Sequence, residues 1–465
     1  MLAAALVFSN ILGFVLQFAL PFYLPPEEYA VYSVVLATSQ ILLIFSFEWI
    51  RLPLLRFSNV DNLFVKQRRG ALFFYLYFFV FFVLLVFGVG AFFLNLSFDL
   101  DFLYVASLAL LIAAFQGVFE GGQSYFRANF LNKVFAVSWI LRSLATLFLC
   151  LLMGFYYQSA TPVLFGYAVS FFIVFCLVYF PRYGWVKWQG LGEIRHFSTY
   201  GVSLAMAAFL GGVLIPLFKN YFVYEVGVLF AGGVFWAFDL FLKVFAILGM
   251  VVNISLSQKI IKKVESGAES DAAAMSASQI AGVVAMVLPV YLTSILLKNF
   301  VIELFAPSEY SILVLEYYFF AVSAAAIIAI RMFAVDALFI VFSKSKAAFV
   351  SPVVTIVSWG ALSFFLDKEA ETILLVLCFS LLIGLVFSFC VIKNNIDYVR
   401  FFNVLKFVVV LNSVFFLAIY LVVCFAKSYY MIAFLVFVFF LVYFYIFFSR
   451  QRDVFHYVFC GVRHG

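Results

Sequence analysis

Asp239 and Lys243 stand four residues apart in the stretch 226–252, which holds no other charged residue. That spacing puts both on one face of a helix, where they can neutralise each other. An ionisable group inside a membrane span costs about 2.5–3.5 kcal/mol to insert, so each is a functional residue by default. The pair offers a carboxylate for coupling or gating and an ammonium group for holding an anion. Three further cations lie in apolar runs. Arg331 is several turns into its run, and Arg142 is about two turns into its own, at a rise of about 1.5 Å per residue. Lys219 follows Gly211, Gly212 and Pro216. Pro216 removes a backbone donor and is expected to kink that helix, making it a candidate gate. If Arg142, Lys243 and Arg331 face one cavity, they outnumber Asp239 and leave it positive. Such a cavity suits an anionic ligand and disfavours organic cations. The competing reading of all these charges is helix-to-helix pairing with no ligand.

The elements that carry these residues follow from composition. Two-thirds of the 465 residues are apolar (67%), only 11% are charged, and Phe occurs 68 times. Mean hydropathy is +1.18. A soluble chain carries about a quarter charged residues, so the solvent here is lipid. A span needs about 20 mainly apolar residues. Polar breaks at that spacing predict about fourteen membrane helices, roughly 2–24, 30–50, 71–95, 103–122, 135–157, 162–181, 198–222, 227–255, 277–297, 312–342, 347–366, 372–392, 404–426 and 429–449. The expected fold is all-α and polytopic, with no sizeable soluble domain. With the N-terminus inside, most of the 28 Lys and Arg fall in inner loops and the tail, and only Lys298, Lys368 and Lys427 fall outside. This asymmetry places both termini in the cytoplasm. The net charge of +6 follows the membrane and does not indicate nucleic acid.

Other chemistry is poorly represented. The six cysteines are scattered, without CxxC or metal-ligand spacing, and read as small hydrophobes in helix packing. His196, His456 and His464 are too far apart for a metal site, and no cofactor motif or ATP-binding motif is present. No cleavable signal peptide is evident, and a short basic leader before the first helix is expected. The acids Glu27–Glu28, Asp99, Asp101, Glu369 and Glu371 sit in tight outer connections and read as solvated loop charge. Glu48 and Arg51, three residues apart, can pair as an anchor at the inner end of the second helix. Glu120 and Glu316 read as interfacial. Every outer loop is short, which argues against a membrane-embedded polymerase or glycosyltransferase.

The second span opens Glu28-Tyr29-Ala30-Val31-Tyr32 and the eighth opens Glu225-Val226-Gly227-Val228-Leu229, each after a short outer turn and each leading to a basic inner loop. This weak repeat fits two pseudo-symmetric six-helix lobes, 1–181 and 198–392, divided within Arg182–Phe197 and followed by an added helix pair, 404–449, and a cytoplasmic tail, 450–465. LPPEEYAVYSVVLATSQ (24–40) with FEWIRLPLLRF (47–57), ELFAPSEY (303–310) and RMFAVDALFIVFSKSK (331–346) resemble the bacterial polysaccharide-repeat flippases, the Wzx-type branch of the MATE-like superfamily. The resemblance spans most of the chain in its helix rhythm, and departs from the family in lacking basic residues before the first helix. It implies two lobes facing a central cavity that opens alternately to either side of the bacterial inner membrane. The implied cargo is an oligosaccharide on a polyprenyl pyrophosphate, driven by an H⁺ or Na⁺ gradient, membrane potential or substrate gradient. A polysaccharide polymerase and chain-length proteins are the implied partners. Within that reading Lys243, Arg331 and Arg142 bind the headgroup, while Asp239, Lys219 and Pro216 couple or gate. An ion-coupled exporter of small molecules with the same fold is the alternative.

Overall fold

The computed structural model describes residues 2–57, 63–98, 101–128, 131–179, 194–342, 349–425 and 429–450. Among these residues the chain is helical with no strand. Lipid offers no hydrogen-bond partner to the backbone, so each crossing segment must satisfy its own N–H and C=O groups, as a helix does. Each of the fourteen expected spans falls on a helix. The helices are α1 (Leu2–Ala19), α2 (Pro26–Phe57), α3 (Leu63–Phe98), α4 (Asp101–Ala128), α5 (Asn132–Tyr157), α6 (Ala160–Val174), α7 (Ile194–Val226) and α8 (Val228–Glu265). They continue with α9 (Glu269–Leu296), α10 (Lys298–Phe305), α11 (Ser308–Ile330), α12 (Ala337–Val341), α13 (Val350–Phe365), α14 (Ala370–Ile392), α15 (Tyr398–Phe425) and α16 (Tyr429–Arg450). Among the described residues, 11 of these are long and apolar enough to cross a membrane by length and composition. The other expected crossings fall on α7, on the shorter α13, and on α16. Helices α2, α3 and α8 have 32, 36 and 38 residues, well beyond the roughly 20 that a bilayer needs, so they extend past the hydrocarbon.

Two helices are widened by one π turn. α6 runs into Phe175–Tyr179, and α11 runs into Arg331–Asp336 before α12 resumes the ordinary pitch. A π turn bonds i to i+5 and brings together side chains that an α-helix separates.

The chain forms two compact units, Met1–Trp236 and Ala237–Gly465. In the first, α2 lies along both α4 and α7, α3 lies on α4, and α5 packs against α1 and α6. Gly201 of α7 lies against the Trp49 carbonyl and Pro53 of α2, a contact that leaves no room for a side chain. In the second, α11 lies between α9 and α14, and α13 packs on α14. The C-terminal helices α15 and α16 belong to this unit. Tyr443 donates its hydroxyl to the Ala285 carbonyl of α9 at 3.1 Å and accepts from Asn412 Nδ2 at 2.9 Å. The boundary by packing thus falls inside α8, because α7 stays with α2. The boundary expected from the repeat, 182–197, is a matter of symmetry and lies mostly outside the described residues, as does the 450–465 tail.

Candidate functional site

The candidate residues divide between the units. Arg142, Pro216 and Lys219 lie in the first, and Asp239, Lys243 and Arg331 lie in the second. Continuous α8 puts Asp239 and Lys243 one turn apart, both partly buried.

Arg331 opens the π turn of the second unit and is 6% exposed. Its Nε donates to Asp336 Oδ2 at 3.1 Å and its Nη1 to Thr355 Oγ1 at 3.1 Å. Five residues along an α-helix would leave the two side chains about 140° apart. The π turn closes that gap, which explains how an i, i+5 ion pair forms here. Ser388 Oγ donates to the other Asp336 oxygen at 3.3 Å, and Thr355 passes its own proton to the Ser351 carbonyl at 2.8 Å. The wide turn also leaves the Phe333 carbonyl for a side-chain donor, and the fully buried Gln279 Nε2 fills it at 3.0 Å. Asp336 adds a second carboxylate to the membrane-embedded charges, so Arg142, Lys243 and Arg331 outnumber Asp239 and Asp336 by only one.

In the first unit, Pro216 lies inside an unbroken α7, where Asn220 Nδ2 donates to its carbonyl at 2.8 Å. One turn on, Lys219 is 3% exposed. Its ammonium group donates to Ser33 of α2 and lies 5.2 Å from the centre of the Phe235 ring. Lys219 therefore ties α7 to α2 and to the start of α8.

The Glu48–Arg51 pair forms as expected, with Arg51 Nε donating to Glu48 Oε2 at 2.9 Å. It extends further than sequence spacing indicated. Arg51 Nη1 reaches Glu120 Oε2 at 3.4 Å, Gln116 Nε2 donates to Glu120 Oε1 at 2.8 Å, and Gln40 Nε2 donates to Gln116 Oε1 at 3.0 Å. A polar chain thus stitches α2 to α4 inside the span. Glu28, expected to be solvated loop charge, accepts from the Ala160 N–H at 2.6 Å and from Ser159 Oγ at 3.1 Å. It caps α6 from a distant part of the chain, where a negative charge meets the positive end of the helix dipole.

Arg142 has no carboxylate in hydrogen-bond reach among the described residues. Its guanidinium lies 4.7 Å from the Trp139 ring and 5.2 Å from the Phe171 ring. Both rings belong to the aromatic core shared by α4, α5 and α6. A separate groove of about 420 Å³ opens between α2, α3 and α7 of the same unit, lined by apolar side chains such as Phe45, Trp49, Val83 and Met206, with Ser46.

No family model and no curated protein sequence matches the chain. Solved structures do. The chain is similar to the lipid II flippase MurJ in an inward closed conformation, with a TM-score of 0.74 at 13% identity, covering 97% of this chain and 99% of that one. It is also similar to a mutant of the Vibrio cholerae MATE transporter VcmN (TM-score 0.53, 12% identity, 86% of this chain and 97% of that one). The eukaryotic MATE transporter AtDTX14 gives a TM-score of 0.52 at 11% identity, over 88% and 97%. The chain thus shares with MurJ and the MATE proteins one all-α, polytopic fold.

Proposed function

We propose that this protein is a flippase of the MATE-like superfamily that carries a polyprenyl-pyrophosphate-linked oligosaccharide repeat unit across the bacterial inner membrane. The observation that carries this reading is the reach of the structural likeness. The fold of a lipid flippase matches 97% of the chain, whereas the two MATE transporters match 86% and 88%. The share they leave over is comparable in length to the C-terminal pair α15–α16. A cargo with a charged headgroup also suits the cations buried in the spans. Arg142 and Lys243 hold the headgroup, and Arg331 joins them when an anion competes with Asp336. Asp239 neutralises Lys243 when no cargo is present, and is released to take a proton or another partner on loading. That exchange links binding to a change of helix packing, as alternating access requires. Lys219 and Pro216 gate through α7. The termini are cytoplasmic, and the product passes to a polymerase with its chain-length proteins.

The test uses Asp239→Asn and Lys243→Ala, singly and together, in the native bacterium, with membrane protein level and surface glycan both measured. Normal protein level with lost export in Lys243→Ala, not rescued in the double variant, is the expected result. Export near wild type in Lys243→Ala refutes the headgroup role. Lowered protein level that recovers in the double variant would mark the pair as structural. Unchanged surface glycan in a deletion strain, with lost efflux of a small cationic drug, would replace the flippase reading with the exporter.

A further inference from the structure

Three neighbouring donors on α5 are buried with nothing to bond. Trp139 Nε1, Arg142 Nε and Ser143 Oγ each lie out of solvent without a hydrogen-bond partner. Their spacing, i, i+3 and i+4, puts them on one face of the helix. Ser143 is 5% exposed. A buried donor left unpaired is destabilising, more so for a charged group, so natural structures rarely keep three together.

The rest of α5 shows that this is not a general property of the helix. A helical serine or threonine can bond the carbonyl one turn back. Ser138 does so with Val134 at 2.8 Å, and Thr146 does so with Arg142 at 2.9 Å while also meeting Ser170 at 2.7 Å. Ser143, between them, does neither.

The charge points the same way. The ionisable groups whose field reaches Arg142 are Tyr167 and Glu120. Glu120 already accepts from Gln116 and from Arg51. The Trp139 and Phe171 rings engage the guanidinium through cation–π contact, which uses its faces and leaves the in-plane N–H groups for an acceptor. Arg142 lies about 15 Å along α5 from Asn132, at about 1.5 Å per residue, in the middle part of that 26-residue helix. A cation and two neutral donors on one face, with no acid among them, are complementary to an oxyanion. Arginine suits phosphate in particular, because its fork can bond two oxygens at once.

We infer that Trp139, Arg142 and Ser143 form a preformed oxyanion site that receives the phosphate group of a prenyl-linked lipid. The lipid half of this inference rests on the flippase reading above, and the oxyanion half rests on the three donors alone. The site would supply one charged and two neutral hydrogen bonds, with Phe171 and Trp139 keeping the guanidinium in place.

The experiment measures binding of geranyl diphosphate, inorganic pyrophosphate and geraniol to the full-length protein in detergent by calorimetry. Arg142→Met, Trp139→Phe and Ser143→Ala are compared with wild type. Geranyl diphosphate should bind, more tightly than inorganic pyrophosphate, and geraniol should not show the same dependence on these residues. Arg142→Met should weaken geranyl diphosphate at least about tenfold, the range for a charged hydrogen bond. Trp139→Phe and Ser143→Ala should each weaken it about threefold to tenfold. The melting temperature of Ser143→Ala without ligand should equal that of wild type or exceed it, because this change removes an unpaired donor and little volume, whereas Arg142→Met and Trp139→Phe also give up ring contacts. Wild-type affinity in all three variants, or no diphosphate binding by the wild type, overturns the site. Inorganic pyrophosphate binding as tightly as geranyl diphosphate overturns the lipid source. Residue-dependent diphosphate binding in a protein whose deletion leaves surface glycan intact would uphold the site and refute the flippase reading.

Discussion

Replacing Asp336 by Asn tests whether the π turn is held by its ion pair. The amide has the same size and can still accept from Ser388, so the change removes charge and little else. Arg331, 6% exposed, would then keep only Thr355 as a partner. Breaking a fully buried pair from one side costs about 3–5 kcal/mol. The Asp336 side chain is 33% exposed, so solvent screens part of that loss, and about 2 kcal/mol is the expectation. This corresponds to a roughly thirtyfold fall in the folding equilibrium, at 1.4 kcal/mol per factor of ten. Fluorescence-detected size exclusion after graded heating, in one detergent, should show an earlier transition for Asp336→Asn and for Arg331→Met. The double variant should recover most of the loss, giving a coupling of at least about 1 kcal/mol between contacting charges. Wild-type stability in Asp336→Asn, or losses that simply add in the double variant, would refute the account of the turn.

Two further changes probe the first unit and the orientation. Glu28→Ala should lower stability by about 1 kcal/mol through loss of the α6 cap, while Glu27→Ala, next to it and exposed, should not; equal effects in the same heating assay would return Glu28 to the solvated loop. A cysteine at position 66, introduced in a variant lacking native cysteines, should resist a membrane-impermeant maleimide in intact cells, and efficient labelling there would reverse the proposed topology.

The helices were legible because lipid makes the signal unusually simple. A crossing segment must be apolar for about 20 residues and must be helical, so hydropathy alone places each element. The local pair Glu48–Arg51 was legible for the same reason that helix periodicity is. What the sequence concealed depends on departures from that periodicity or on long-range contact. Arg331 and Asp336 are out of phase in an ordinary helix, and nothing in RMFAVD announces a wider turn. Glu28 reaches a helix end more than a hundred positions away, and Gln116 and Glu120 meet Arg51 only once α2 lies on α4. Trp139 and Ser143 carry no charge, so only their unmet hydrogen bonds draw notice. Pro216 is a strong signal in sequence, and it lies inside α7, which runs from Ile194 to Val226 as one helix.

The π turn at Arg331–Asp336 also amounts to one surplus residue within a helix. The α12 residues after Asp336 are rotated relative to the phase set before Arg331. An alignment that confines gaps to loops would run one column out of step from that turn to the end of α12. There it would compare core positions such as Leu338 and Phe339 with the wrong neighbours. Gaps allowed inside 331–336 should therefore recover sequence relatives that a loop-only gap rule scores as unrelated.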